Sequence, residues 1–279
     1  MLIFQAPWLA AIWIRDSTTG KYNHHCGGSI IGQNYILTAA HCVDHRILSN
    51  IRGDDSVESD LKVILGMEKP GLDCPRKEDV EYKIKAHKIH PDFDFPYFDV
   101  AILELESNIK YTKGIGSVCL SSLSTNDLTN NAVSLFGWGA KEKYGKPLPV
   151  LRGTHQMKVT SVDNCLNKIG NFTYDDDDVL LKSVFNRSSW LKTEANNTEK
   201  SMKGLICIED NEHNGLLGTC KGDSGSPVVQ RILGSTRYEQ IGIVSGGKCN
   251  DEDTPSVLTH IGHESVYNFI SKISEYFIF

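Results

Sequence analysis

Turn signals constrain this chain more than any other feature. Short apolar or alternating runs at Ser29–Leu37, Leu61–Leu65, Val100–Leu105, Ala132–Phe136, Pro227–Ile232 and Tyr238–Ser245 are rich in Val, Ile, Leu and aromatic residues, and Gly, Pro, Asn or Asp bounds most of them. Segments of that kind read as strands, and many in succession point to an all-β barrel or sandwich. Towards the end the period changes. From His263 onward, Val266, Phe269, Ile270, Ile273 and Phe277 recur at spacings of three and four, which predicts an amphipathic terminal helix packed on the body. The apolar opening, Leu2–Ile14, has no basic segment before it and no small-residue cleavage site after it. It is expected to be an early core strand, not a signal peptide.

Composition narrows the function classes. A chain of 279 residues holds one large all-β domain or two small ones, with 40% apolar and 23% charged residues as in ordinary globular proteins. The net charge of -6 and the lack of a basic cluster argue against a nucleic-acid partner. No apolar run reaches the roughly 18 residues of a membrane span. Eight cysteines accompany three glycosylation sequons, at Asn171, Asn186 and Asn196, and together they indicate an oxidising, secretory compartment. All three sequons fall between Cys165 and Cys207, in a polar segment that includes Asp175–Asp178. That segment reads as a solvated surface loop; without EF-hand spacing its acids do not define a calcium site.

Three residues carry chemistry in a meaningful order. Thr38-Ala39-Ala40-His41-Cys42 places a histidine after a strand. Gly222-Asp223-Ser224-Gly225 places a serine on a tight glycine turn before another strand. Between them Asp99 opens an apolar strand, where a carboxylate is costly to bury unless paired. A serine hydroxyl needs a base to become a nucleophile, and histidine titrates near neutrality and serves as that base. A buried carboxylate would fix the imidazole tautomer. The backbone N–H groups of Gly222 and Ser224 would converge on a developing oxyanion.

These residues, with Cys26-Gly-Gly-Ser-Ile-Ile, Gly137-Trp-Gly139 and Pro255-Ser-Val-Leu, resemble the chymotrypsin family of serine proteases over nearly the whole chain. The resemblance implies two six-stranded antiparallel β-barrels with the active site between them. The whole of 1–279 would be one peptidase domain, with halves at roughly 1–120 and 121–260 and a C-terminal helix at 263–277. It implies His41, Asp99 and Ser224 as a catalytic triad acting through an acyl-enzyme, and an oxyanion hole at Gly222 and Ser224. It pairs Cys26 with Cys42, Cys165 with Cys207, and Cys220 with Cys249. A further family disulfide would need cysteines at Val133 and Gln230, and both are absent. Cys119 matches a cysteine that tethers an upstream propeptide. Cys74 is left over, in a loop that loosely resembles arthropod clip-domain cascade proteases.

The resemblance also sets expectations for specificity and control. Gly218 stands where trypsin-like enzymes carry an aspartate, so the pocket, with Thr219, Ser245, Gly247 and Ser256, is expected to prefer apolar side chains. Glycine at 246 removes an aromatic shelf, and Ser226 replaces a common glycine. Met67 stands where the family's calcium loop has a glutamate, so no calcium is expected there, nor any other cofactor. His24, His25, His87 and His90 are expected on solvated loops or strand faces, not at a zinc site. In the family, precursor cleavage exposes an ammonium group that pairs with the acid before the nucleophile, here Asp223. Ala6-Pro-Trp8 matches a segment downstream of such a start, so an activation segment is expected to be missing and the chain as written to fall short of full activity. The implied protein is secreted and extracellular. Its expected partners are a peptide or protein substrate, a propeptide and protein inhibitors, with no membrane. The alternative is a non-catalytic homologue acting as a binding or regulatory module.

Overall fold

The computed structural model describes residues 5–52, 60–67, 80–141, 145, 148, 150–170, 204–210, 218–247, 249 and 255–274. The three sequons, Asp175–Asp178 and Cys74 lie outside the described residues.

The first barrel contains β1 (Leu9–Arg15), β2 (Tyr22–Ile30), β3 (Tyr35–Thr38), β4 (Leu61–Leu65), β5 (Val80–Ile89) and β6 (Ala101–Leu105). It closes in the order β1-β2-β3-β6-β5-β4, all neighbours antiparallel. A short strand, β7 (Cys119–Leu120), leads to the second barrel. That barrel contains β8 (Ala132–Gly137), β9 (Arg152–Val159), β10 (Leu205–Asp210), β11 (Pro227–Arg231), β12 (Tyr238–Gly246) and β13 (Ser256–His260). The order β11-β8-β9-β10-β13-β12 closes through β11–β12 pairing, and β7 adds to β12 in parallel. Among the described residues the α-helices are α1 (His45–Arg52), α2 (Thr125–Leu128), α3 (Val162–Gly170) and α4 (Glu264–Ser274). The architecture is therefore two closed six-stranded antiparallel barrels with a C-terminal helix.

The run Ser29–Leu37 is a hairpin, not one strand: Gly32-Gln33-Asn34 supplies the bend, and Ser29 pairs with Leu37. From the opening segment, Leu9–Ile14 lies in β1, and its lack of alternation has a cause. Strand side chains alternate between faces, and both faces of β1 are buried. Ala10 and Ile12 enter the first barrel's core. Leu9, Ala11 and Trp13 enter a separate cluster with Met67, Phe136, Trp138 and Val229 that joins the barrels. The second barrel has its own core around Val133, Ile208, Val228, Ile241 and Leu258. Helix α4 follows the second barrel in sequence but packs on the first, where Val266 and Ile270 join the core.

Candidate active site

The site forms where the barrels meet. Strand β3 ends at Thr38, and a single 3₁₀ turn over Ala40–Cys42 carries His41. A disulfide ties Cys42 to Cys26 on β2. Asp99 stands just before β6 and is fully buried. Its Oδ1 accepts from the His41 backbone N–H at 2.9 Å, and its Oδ2 accepts from His41 Nδ1 at 2.6 Å and from the Ser245 hydroxyl at 2.6 Å. These bonds offset the cost of burying a carboxylate. The Asp99 bond places the proton on Nδ1 and leaves Nε2 as the basic nitrogen. Phe95 packs edge-on against the imidazole, with ring centroids 5.4 Å apart.

Ser224 sits on a turn whose two glycines, Gly222 and Gly225, have φ of 100° and 79°. A Cβ at Gly225 would lie 2.3 Å from Thr38 Oγ1 and 2.4 Å from the Gly27 carbonyl oxygen, so close packing also demands glycine. Gly27 links both halves of the site. Its N–H donates to the Ser224 carbonyl at 2.7 Å, and its own carbonyl accepts from Thr38 Oγ1 at 2.8 Å. Ser224 is thereby tethered, through Gly27 and the adjacent Cys26–Cys42 bridge, to the turn that holds His41. Among the described residues, no hydrogen bond joins Ser224 Oγ to His41, and the N–H groups of Gly222 and Ser224 have no acceptor. Such contacts are often long in a protease without substrate.

Asp223 points away from Ser224, into the protein. Its Oδ1 accepts from Gly139 N–H at 2.8 Å and its Oδ2 from Cys220 N–H at 3.0 Å. Burial pushes its carboxyl up to about 6, against the opposing effect of those two bonds. Among the described residues it has no cationic partner.

Around the expected pocket, Gly218 is exposed and Gly247 half-buried, while Thr219 and Ser256 are buried. Ser256 Oγ accepts from Thr219 N–H and from Thr219 Oγ1, both at 3.0 Å. Ser245, expected to contact substrate, turns its hydroxyl to Asp99. The Thr259 hydroxyl supports the same residue, donating to the Asp99 carbonyl at 2.9 Å. Nothing in the local sequence pattern marks either hydroxyl, because each sits in an ordinary strand; only the meeting of β12 and β13 with the first barrel reveals them.

Two further disulfides join Cys165 to Cys207 and Cys220 to Cys249. Cys119 is exposed and outside any disulfide. His24 and His25 lie on β2 and His87 on β5, as expected; the expectation needs correction at His90. His90 is buried and stacks on Phe98. The ring nitrogens of His24 are shielded from solvent without a hydrogen-bond partner, between Trp13 and Trp138. Burial, reinforced by neighbouring His25, lowers His24 to about 3.

Two closed barrels, a buried Asp–His pair and a serine on a glycine turn held by Gly27 are the features of two-barrel serine hydrolases. The trypsin family model matches residues 3–270. Serine protease 41 of Homo sapiens is 27% identical over 94% of this chain and 70% of its own length. Serine protease ea of Drosophila melanogaster is 28% identical over 93% of this chain and 62% of its own. The CLIP domain-containing serine protease B4 of Anopheles gambiae is 27% identical over 93% and 65%. The chain thus spans only part of each of these relatives. It belongs to the trypsin family and is a serine endopeptidase.

Proposed function

We propose that Ser224 attacks the scissile carbonyl while His41 Nε2 takes its proton, with Asp99 holding the imidazole and the N–H groups of Gly222 and Ser224 receiving the oxyanion. The observation that carries this reading is the saturated Asp99 carboxylate, bonded to His41 through both backbone and ring. Ser224→Ala should leave folding intact and remove nearly all hydrolysis and all fluorophosphonate labelling. His41→Ala should cost about as much, and the double variant little more, because triad members act as a unit. Full turnover by Ser224→Ala on a peptide substrate would end the assignment.

The primary specificity we assign is apolar. Gly218 brings no charge, and Thr219 and Ser256 are neutral and satisfy each other. A cationic side chain placed there would lose water without gaining a partner. Cleavage after Leu, Phe, Tyr or Met should exceed cleavage after Lys or Arg in a peptide series varying that residue alone. Preference for Arg would show that an acid reaches the pocket.

Regulation, in our reading, acts through Asp223. A buried carboxylate bonded, among the described residues, only to backbone N–H groups offers an acceptor for an ammonium group delivered on activation, as the family's zymogens use. We further propose a secreted, glycosylated protein with Cys119 available to tether a propeptide. The disulfides support that compartment.

A further inference from the structure

Among the described residues, two that are not glycine have positive φ: Asn130 at 68° and Phe98 at 52°. Asparagine enters this left-handed region readily, but a bulky aromatic residue does so rarely and only where its surroundings enforce it. Phe98 immediately precedes Asp99. Its carbonyl accepts from the Val100 N–H at 2.8 Å, which closes a three-residue turn centred on Asp99. The direction of the Asp99 carboxylate is therefore set by this turn and by the unfavourable backbone on its N-terminal side.

The Phe98 side chain shows what enforces that backbone. One face of the ring stacks on His90, with centroids 4.9 Å apart and planes 11° from parallel. His263 meets it at 5.6 Å, at 62°. Gly204 lies beside both: a Cβ there would be 3.4 Å from Phe98 Cε1 and 3.5 Å from His263 Cγ. His90 is itself fixed. Its Nδ1 accepts from the Asp92 N–H at 3.2 Å, so Nε2 carries the proton and faces the Ser265 carbonyl at 3.3 Å and hydroxyl at 3.1 Å. Phe269 packs on its ring at 5.1 Å. Ser265 and Phe269 belong to α4, and His263 directly precedes it.

We infer that Phe98 is a positioning residue for the triad: its ring, gripped between His90 and His263, holds the left-handed backbone that aims Asp99 at His41, and so couples the start of α4 to the catalytic carboxylate. The inference rests on the triad reading above. It differs from ordinary packing because the gripped residue immediately precedes the residue that holds the base, in a conformation it does not adopt unaided.

The test uses the full chain and two readouts, turnover per fluorophosphonate-titrated site and the downfield proton resonance of His41 Nδ1–H, which reports the short bond to Asp99. Phe98→Ala removes the ring and keeps the unfavourable φ. It should lower kcat by at least about tenfold with KM little changed, since small misplacements of catalytic groups cost that much, and it should weaken or abolish the resonance. Phe98→Tyr keeps the ring and should retain both readouts. His263→Ala loosens one side of the grip and should lower kcat by a smaller factor; it carries the test if Phe98→Ala fails to fold. Asp99→Asn separates the two layers of the argument. Loss of activity in Asp99→Asn with wild-type kcat and resonance in Phe98→Ala and His263→Ala would overturn the positioning role alone. Full activity in Asp99→Asn would overturn the triad, and this role with it.

Discussion

Asp99 shows how much single side chains contribute that no motif records. The acid itself was legible because a charged residue opening an apolar strand demands a partner. Its support was not legible. The Ser245 hydroxyl comes from β12 of the other barrel, and the resemblance marked Ser245 only as a substrate contact. A hydrogen bond to a charged, buried acceptor is worth about 1.5–3 kcal/mol. Ser245→Ala should therefore reduce stability by about 2 kcal/mol in urea denaturation and lower kcat more than it raises KM, because it loosens a group that acts on the base. Unchanged stability and kcat would mean that this hydroxyl does not hold Asp99. The shielding of two histidine rings was missed for a related reason. His24 and His90 lie in polar-looking strings, Tyr22-Asn-His-His and His87-Lys-Ile-His90, whose apolar neighbours come from distant segments.

At the scale of elements, the strands that alternate or stay apolar were readable, among them β4, β8, β11 and β12. Strand β5 was overlooked although Val80, Tyr82, Ile84 and Ala86 alternate with Glu81, Lys83, Lys85 and His87. Strand β9 was not readable, because Arg152–Val159 has no such alternation and half of it is exposed; its pairing partners, not its own composition, make it a strand. The link between β2 and the His41 turn gives a prediction of its own. The Cys26–Cys42 bridge spans 16 residues, and closing a loop of that size contributes about 3 kcal/mol. Replacing both cysteines by alanine should cost about that much in denaturant and should also lower kcat, because the bridge ties the His41 turn to the segment that holds Ser224. Replacing Cys165 and Cys207 should cost stability with little change in kcat. Equal losses of kcat for the two pairs would refute a special role for the first.

The whole molecule responds to pH through groups that burial has displaced in opposite senses. His24 is lowered to about 3, and His260, desolvated while bonded to the Leu123 carbonyl and beside His263, is lowered to about 4. A depressed histidine stabilises fully above its unfolded value of about 6.5 and loses that contribution as pH falls towards its folded value. Asp223 is raised to about 6, so its contribution is present below its unfolded value near 3.8 and is lost as pH rises through 6. Between pH 6 and 4 the unfolded chain thus binds two more protons at the histidines and one fewer at Asp223. A net difference of one proton means that stability should fall by roughly 1 kcal/mol per pH unit there, and Asp223→Asn should make the fall steeper by a similar amount. A stability that rises on acidification through this window would contradict these burials. The crossing of α4 back onto the first barrel has a consequence for the order of events during synthesis. Chains generally fold domain by domain as they emerge from the ribosome, the N-terminal part first. Here the first barrel waits: Ile261, Val266 and Ile270, which complete its core, are made only after every strand of the second barrel. The half that carries His41 and Asp99 can reach its final packing only after the half that carries Ser224 has been translated, so a chain halted between the barrels leaves an unfinished core instead of a half-enzyme.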